Sequence, residues 1–596
     1  MSEPLISNDT LVKRIVGRYI LPGIAAQLGV KIGNVINTVI IGRLFGTDGL
    51  AVMSLVSPLE LVMMSVGSLI CVAGSIHAGY RTAKNDIPGA ANYYSAAFWA
   101  TVIFGLLLSI TGIIFAEDIA ILFGASGSLN VGNVSQLEAV TGYIRALLAG
   151  GVFMAGIYLP LNFLKVIGLP GAAMNMLFIM SGVNIGGALL FAAVFNMGVA
   201  GVALGTSLSY VAAFLYGQIK FTKADSGVKI KMPGTYIFKS AKALVSGVPS
   251  ALNNVLRAVL ALCINMIILN IIPGNNSDML SAVAILNSVM GIINAFVFGI
   301  SQSTLQIAGI AYSERDFKTV KLAMKNIFII GNVIVLILSA LIIIFASHIG
   351  SLFGMHDSPS STFACICAGC YANLYLSNNI FTNFFSATKR NLPAIIIVSL
   401  RLSVYMLLPA LIICIVTGDG IGIWIGYFTA EFLAAITILI YAHFKRRKNS
   451  QLSRLLLLDE NKLKDIKSLN FSVMANNESA VTSSEKITEF LEENELPPKK
   501  IMRISMAVEE IVVLVKEHAE ITETEYIDFR VFLILSSDKT YLRVRYGGKD
   551  FNPVKYGYAH IDDDDSDAFG MNMLLKLTED VIYSRTLGVN NLLLEI

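Results

Sequence analysis

The sequence predicts an α-helical polytopic membrane protein, with twelve transmembrane helices in two six-helix lobes, followed by a C-terminal α/β two-layer sandwich. Three observations predict this class. Apolar residues make up 55% of the 596 residues and charged ones only 14%, against about 25% charged in an ordinary globular chain, and the mean hydropathy is +0.69. Up to Phe444 the chain runs in apolar stretches of about 20 residues, enough for a helix to cross a hydrocarbon core about 30 Å thick. After Lys445 the composition becomes charged and alternating, as in a water-soluble fold.

Taken in order, the first 18 residues are polar, with Lys13, Arg14 and Arg18. No short apolar stretch with a small-residue cleavage site follows them, so no removable signal peptide is expected. Twelve spans are then expected at 19–41, 51–78, 92–116, 138–164, 170–193, 198–220, 241–271, 279–307, 321–346, 361–387, 391–416 and 421–444. Gly and Pro recur inside them, which membrane helices tolerate. Basic residues concentrate after the even-numbered spans: Arg81 and Lys84, Lys165, Lys220 to Lys242, Arg315 to Lys325, Lys389 and Arg390, and Lys445 to Lys448. The opposite loops are nearly free of them apart from Arg43. By the positive-inside rule both termini are cytoplasmic in a multi-pass plasma-membrane protein.

The connection between spans 6 and 7 is the longest and most basic, and features recur across it. Gly79 to Asp86 matches Gly309 to Asp316, Pro170 matches Pro393, and Gly198 to Gly201 matches Gly420 to Gly422. A parallel repeat follows, with one lobe at 1–230, a second at 231–448, a linker at 449–475 and a cytosolic domain at 476–596. Repeats of this kind place a substrate cavity between the halves near the bilayer midplane.

The composition also excludes some functions. A net charge of +3 is too small for nucleic acid binding. The six cysteines all fall in or beside apolar segments, where a thiol behaves as a small hydrophobe. Cys365, Cys367 and Cys370 lack a second pair at ligand spacing, so neither disulfides nor a metal site is expected.

Ionisable groups inside a bilayer are expensive and mark function by default. The acids are Glu60 and Glu431, and the bases Arg257 and Arg401. Asn253, Asn254 and Arg257 form a polar stripe at helical spacing that could face a cavity. A buried Arg there would repel organic cations or hold an anionic group, or else pair with an acid for packing. Asn287, Asn294, Gln302, Gln306, Asn373, Asn378 and Asn379 could line the cavity or simply join helices.

Several stretches resemble the multidrug and toxic compound extrusion (MATE) family over residues 13 to 445. They are Asn37-Thr-Val-Ile-Ile-Gly-Arg-Leu-Phe-Gly46, Gly198 to Thr206, Gly247-Val-Pro249, Ile423-Trp424 and Ala430-Glu431. The resemblance implies a two-lobe fold that exchanges cationic, amphipathic compounds for protons or sodium ions. It also implies a coupling acid where this chain has Asn37, and another where Ala188 follows Asn184 by four residues. With both acids missing, Asn37, Asn184 and Thr206 could offer neutral oxygens to sodium, but none takes up a proton at ordinary pH. Glu60 and Glu431 remain as coupling candidates. For Glu431 the resemblance also implies a helix-packing role. The substrate-cavity candidates are Asn253, Asn254, Arg257, Asn294, Gln302, Asn378 and Arg401.

In the tail, helices are expected at 483–493, 500–520 and 568–577, and strands at 529–535, 540–545, 581–584 and 591–596. Ala507-Val-Glu-Glu510, Gly548-Lys-Asp-Phe-Asn-Pro553 and Val581 to Asn591 resemble the GHKL ATP-binding fold of anti-sigma-factor serine kinases. That resemblance implies a magnesium-binding Asn where this chain has Leu514, and an adenine-binding Asp where it has Tyr546. Only Gly570 remains of the Gly-rich start of the lid helix. Leu cannot ligate magnesium and Tyr is no carboxylate acceptor. Glu510 alone is a weak base candidate, so ATP and Mg2+ handling lacks its anchors and no enzymatic activity is expected.

Three functions stay open. One is an antiporter exporting small organic compounds by alternating access, whose tail regulates it or docks a cytosolic protein on 476–596. Another is a lipid-linked or oligosaccharide flippase, and the third a membrane-tethered signalling protein that sequesters a regulator. No cofactor is expected beyond a coupling proton or sodium ion.

Overall fold

Apolar runs without water to satisfy their amides have one local solution, the helix, and helices dominate the chain up to Lys448. The structure, a computed structural model, describes every residue except 1–7, 84–85, 128–129, 132–133, 168, 225–229, 233–240, 273–275, 314–316, 356–357, 389, 451, 460–465, 522–525, 535–538, 550, 554–555, 557–579 and 587–588. It divides into two compact units. One is Arg18–Ser313 with Ile327–Ile440, and the other holds Tyr441–Ile596 together with Met1–Gly17 and Glu314–Asn326.

The amino-terminal half contains α1 (Asn8–Ala83), α2 (Ile87–Ile114), α3 (Ala116–Leu122), the short ladder of β1 (Asn130–Val131) and β2 (Val134–Ser135), α4 (Gln136–Ala149), α5 (Gly151–Gly156), α6 (Tyr158–Val166), α7 (Pro170–Ala188) and α8 (Gly198–Lys223). The other half contains α9 (Val248–Asn270), α10 (Asn276–Ser313), α11 (Phe317–Ile344), α12 (Ala346–Leu352), α13 (Pro359–Ala387), α14 (Asn391–Leu402), α15 (Val404–Thr417) and α16 (Ile421–Lys448). Helix starts follow ordinary chemistry. Prolines open α2, α7, α9 and α13, where the missing N–H is no loss. The side chains of Asp86, Ser135 and Ser358 accept from backbone amides as N-caps.

One length pattern recurs in the two halves. α2 and α11 are each 28 residues long, and each is followed after one residue by a seven-residue helix, α3 or α12.

By length and composition, nine helices among the described residues could cross a membrane, or ten if the α4 to α6 segment, bent by 55°, is one span. The expected twelve differ for physical reasons. The first two spans lie within α1, which breaks only at Gly46 (φ 64°, ψ −153°). α13 coincides with the expected span 10, but its many amides and hydroxyls dilute its hydropathy.

The lobes are bridged along their seam. Near one end of the first span, Arg43 Nε donates to Leu352 O at 3.0 Å, and Ser281 Oγ donates to Thr47 O at 2.6 Å. Gly42 lies so close there that a Cβ would stand 1.9 Å from Phe353 O. Further along, Ser65 Oγ donates to Ala251 O at 3.1 Å and Asn254 Nδ2 to Ser68 Oγ at 3.3 Å.

In the tail, β3 (Ile466–Met474), β4 (Tyr526–Ile534), β5 (Lys539–Tyr546), β6 (Asp580–Thr586) and β7 (Val589–Glu595) form one antiparallel sheet of order β3-β4-β5-β7-β6. α17 (Asn477–Glu492) and α18 (Pro498–His518) share its core, with Ile487, Ile504, Val508 and Val515 among Phe529, Val531, Leu542 and Leu592. The expected linker at 449–475 is corrected here, because its second half is strand β3. The strand buries Phe471 and Val473 on the core side, alternating with Asn470 and Ser472 as a half-buried strand does. The helix expected at 568–577 lies outside the described residues.

Candidate functional site

Six helices from different parts of the sequence bring polar side chains to a common centre, those with several doing so at helical spacing. On α1, Lys31, Asn34 and Thr38 share one face, and Ser54, Ser57 and Glu60 another beyond Gly46. α9 presents Arg257, Ala261, Ile264 and Asn265, and α10 presents Ala284, Asn287, Ser288 and Asn294. With Tyr371 and Tyr375 of α13, Arg401 of α14, Met406 of α15 and Glu431 of α16, they enclose a cavity of about 290 Å³ between the lobes. Hydrogen bonds cross its walls from lobe to lobe. Ser288 Oγ donates to Thr38 Oγ1 at 2.8 Å, and Asn265 Nδ2 donates to Ser54 O at 3.2 Å.

A second cavity of about 180 Å³ adjoins α9, α13 and α14 and includes Asn253, Asn379, Asn383 and Ser386. Arg257, Tyr375, Arg401 and Leu402 line both cavities.

Charge is unevenly held in these walls. Glu431 is buried and its Oε2 accepts from Asn378 Nδ2 at 2.8 Å, with Arg401 Nη1 3.6 Å from the same oxygen. The Arg401 guanidinium also lies 5.1 Å from the centre of the Tyr375 ring, a cation–π distance. The Tyr375 hydroxyl in turn donates to Asn294 Oδ1. Glu60 reaches the cavity with no ion pair or hydrogen bond to any described residue, and electrostatically it faces the phenols of Tyr143 and Tyr210.

The other coupling candidates form a separate cluster within the amino-terminal lobe. Asn37 Nδ2 donates to Asn184 Oδ1 and, at 3.4 Å, to Thr206 Oγ1, all three being buried. Asn37 Oδ1 is buried and lacks a hydrogen-bond partner among the described residues. The position where a second acid would stand, Ala188, is fully buried. The cluster offers neutral oxygens but no carboxylate.

Among the cavity candidates, Arg257, Arg401 and Asn294 line the larger cavity and Asn253 the smaller one. Three others are placed elsewhere. Gln302 is exposed on α10 and lines neither cavity. Asn254 is engaged by Ser68, and Asn378 by Glu431. Sequence reasoning missed Lys31 and Tyr371. Lys31 carried a readable signal, a charge in the middle of the apolar run 19–41. Tyr371 carried none, since a tyrosine in an apolar helix is usually packing.

In the tail, Leu514 and Tyr546 are both core residues, 1% exposed each, so neither side chain faces outward to a ligand. The Tyr546 hydroxyl donates to Phe551 O at 2.7 Å, and His518 stacks on Phe551 and Tyr556 with ring centres 5.1 and 4.5 Å apart. Asn590 Nδ2 donates to Gly547 O and Lys549 O at 3.0 and 2.9 Å, fixing the turn that holds Gly548. Glu510 is half-buried on α18, and Gly570 lies outside the described residues.

Comparison with known proteins agrees with this architecture. The sequence profile of the MatE family matches residues 22–190 and 249–412, more than half of the chain. The multidrug export protein MepA of Staphylococcus aureus is 24% identical over 442 residues, covering 72% of this chain and 93% of MepA. A structure described as the inward-facing conformation of a multidrug resistance MATE family transporter of the MOP superfamily aligns with a TM-score of 0.62. It is 22% identical and covers 72% of this chain and 99% of its own. A MOP superfamily transporter from Pyrococcus furiosus, described by the reverse polarity of its binding pocket, aligns at 0.58 with 22% identity, covering 74% and 98%. The structural likenesses show a shared fold, and with the profile match over both lobes they establish that this chain is a multi-pass membrane protein of the MatE family.

Proposed function

We propose that the protein is a secondary active transporter that exports small organic compounds by alternating access, exposing the cavity between its lobes to one side of the membrane and then the other. The observation that carries this reading is the polar cavity on the seam, where unpaired Glu60 and the Arg401–Glu431 pair meet apolar walls. Charge inside a membrane is rare and marks function by default, and the fold relatives that are named multidrug exporters support the same reading.

In this reading the chain crosses twelve times, with the break at Gly46 separating the first two crossings and both termini cytoplasmic. Glu60 exchanges a proton or sodium ion with the substrate cycle, since it is the cavity acid that no base neutralises. Asn37, Asn184 and Thr206 give the amino-terminal lobe a neutral oxygen cluster that could assist sodium. The tail is a degenerate GHKL-like module that regulates the transporter or docks a cytosolic partner, because Leu514 and Tyr546 belong to its core. A second reading, a flippase for lipid-linked or oligosaccharide substrates, is favoured by the basic residues Lys31, Arg257 and Arg401 around the cavity.

Efflux of organic dyes from everted vesicles under imposed proton or sodium gradients tests the first reading. Gradient-driven efflux that Glu60→Gln abolishes is the expected result, and no movement of any dye by the unaltered protein refutes it. Magnesium-ATP titration of the purified full chain tests the tail, where micromolar, magnesium-dependent binding refutes the degenerate reading.

A further inference from the structure

We propose that the substrate is an amphipathic organic anion whose oxyanion headgroup sits between Arg257 and Arg401, where the two cavities meet, with its apolar body in the larger one. The proposal rests on the transport reading above and names the substrate class of that site.

Three observations carry it. First, the smaller cavity is lined by both arginines and by no acidic residue, its other polar walls being neutral amides and hydroxyls such as Asn253, Asn379 and Ser386. Second, buried donors are left over. Arg401 is 6% exposed, and its Nε and Nη1 have no hydrogen-bond partner among the described residues, Glu431 standing 3.6 Å from Nη1. The hydroxyl of Tyr371, 1% exposed on the wall of the larger cavity, is likewise without a partner. Third, Arg257 makes no hydrogen bond or ion pair with any described residue, and the charge it interacts with across the seam is another cation, Lys31.

Physical chemistry turns these observations into a ligand class. Like charges facing each other in a low dielectric are mutually destabilising, and an organic cation placed between them would add a third. A carboxylate or phosphate turns the terms with Lys31, Arg257 and Arg401 attractive, against repulsion from Glu431, whose charge Arg401 already balances. It accepts from the guanidinium forks, which match planar and tetrahedral oxyanions, and satisfies donors that otherwise stay unpaired at a penalty of about 1–3 kcal/mol each. Because Lys31 belongs to one lobe and Arg257 to the other, a bound anion would also relieve repulsion across the seam and favour the lobes' approach.

Binding to the purified full chain in nanodiscs distinguishes the alternatives, with decanoate and decyl phosphate as anionic probes and decyltrimethylammonium as the cation of matched tail. At least one anion is expected to bind tenfold or more tightly than the cation. Which anion does so identifies the headgroup. Arg257→Gln should weaken that anion by tenfold or more, with Arg257→Lys recovering most of the loss. Arg257 has no partner to orphan, so its variants should fold, and the paired Arg401→Gln/Glu431→Gln variant removes the second guanidinium without leaving its acid alone. Tighter binding of the cation, or anion binding unchanged by Arg257→Gln, overturns the proposal. Flux of the same probes in proteoliposomes reports separately on transport. Anion binding lost in Arg257→Gln, with no flux of any probe in the unaltered protein, would uphold the site and refute the transport reading.

Discussion

The two halves of the helical part share a length pattern, yet the buried polar cluster of each is built from different chemistry. In the amino-terminal lobe Asn37, Asn184 and Thr206 hydrogen-bond to one another and carry no charge. In the other lobe Asn378, Glu431 and Arg401 form a buried, charged group. The two halves therefore shelter their polar side chains differently, one by hydrogen bonds alone and the other with charge. A neutral cluster is modest in energy and can lose a member gradually. A buried ion pair must be kept whole, since removing one partner strands the other in low dielectric.

That difference is open to direct attack. The largest effect is expected from Glu431→Gln or Arg401→Gln alone, each destabilising by about 3–5 kcal/mol in thermal unfolding of the detergent-solubilised protein. The double variant should lose far less than the sum, and additive losses would contradict the pairing. Next, Gly42→Val forces a side chain against Phe353 O and should open the bridged end of the seam. Thiol labelling of a Phe353→Cys probe, Phe353 being buried, is expected to rise about tenfold, equivalent to about 1.4 kcal/mol. Asn37→Ala, in the neutral cluster, should cost about 1 kcal/mol, the usual net value of a hydrogen bond. A loss as large as that of Glu431→Gln would erase the distinction between the lobes.

The smallest effect belongs to a solvent-facing pair in the tail, which serves as the exposed counterpart of Arg401–Glu431. Lys539 donates to Glu595, whose carboxyl is held below the usual carboxylate range by that hydrogen bond. A depressed carboxylate stabilises above its unfolded pKa, about 4.3 for Glu, and the benefit fades as pH falls through the lower folded value. Lys539 is 44% exposed, so solvent screening keeps the contribution under about 1 kcal/mol. Hydrogen exchange of the β5 and β7 amides in the full chain should show Lys539→Ala weakening protection at pH 7 but not well below pH 4.

Much of this was legible in the sequence, for reasons that differ by residue. Apolar length located the long helices of the membrane part, because the bilayer leaves backbone amides no other solution, but not the short α3 and α12 or the breaks within 138–164 and 391–416. Glu60, Arg257, Arg401 and Glu431 stood out because charge is rare in hydrocarbon, and all four line the cavity. Lys31 obeyed the same rule and was passed over. Amides were less readable, since Asn294 lines the cavity while Asn254, Asn378 and Gln302 do not. An amide in a membrane helix serves cavity and helix packing equally well, and only the rotation of the helix decides. Strand β3 was equally legible, since Leu469, Phe471 and Val473 alternate with Asn470 and Ser472 as a half-buried strand requires.

Alternating access across the seam is the central claim, and closing the seam chemically tests it most directly. Arg43→Cys and Leu352→Cys, in a background with the six native cysteines replaced, place two thiols where Arg43 meets the Leu352 carbonyl. A short cleavable bis-thiol linker would then join the lobes in proteoliposomes that carry a proton or sodium gradient. The account requires gradient-driven flux to fall to background on bridging and to return on cleavage of the linker. Undiminished flux through the bridged protein would contradict it.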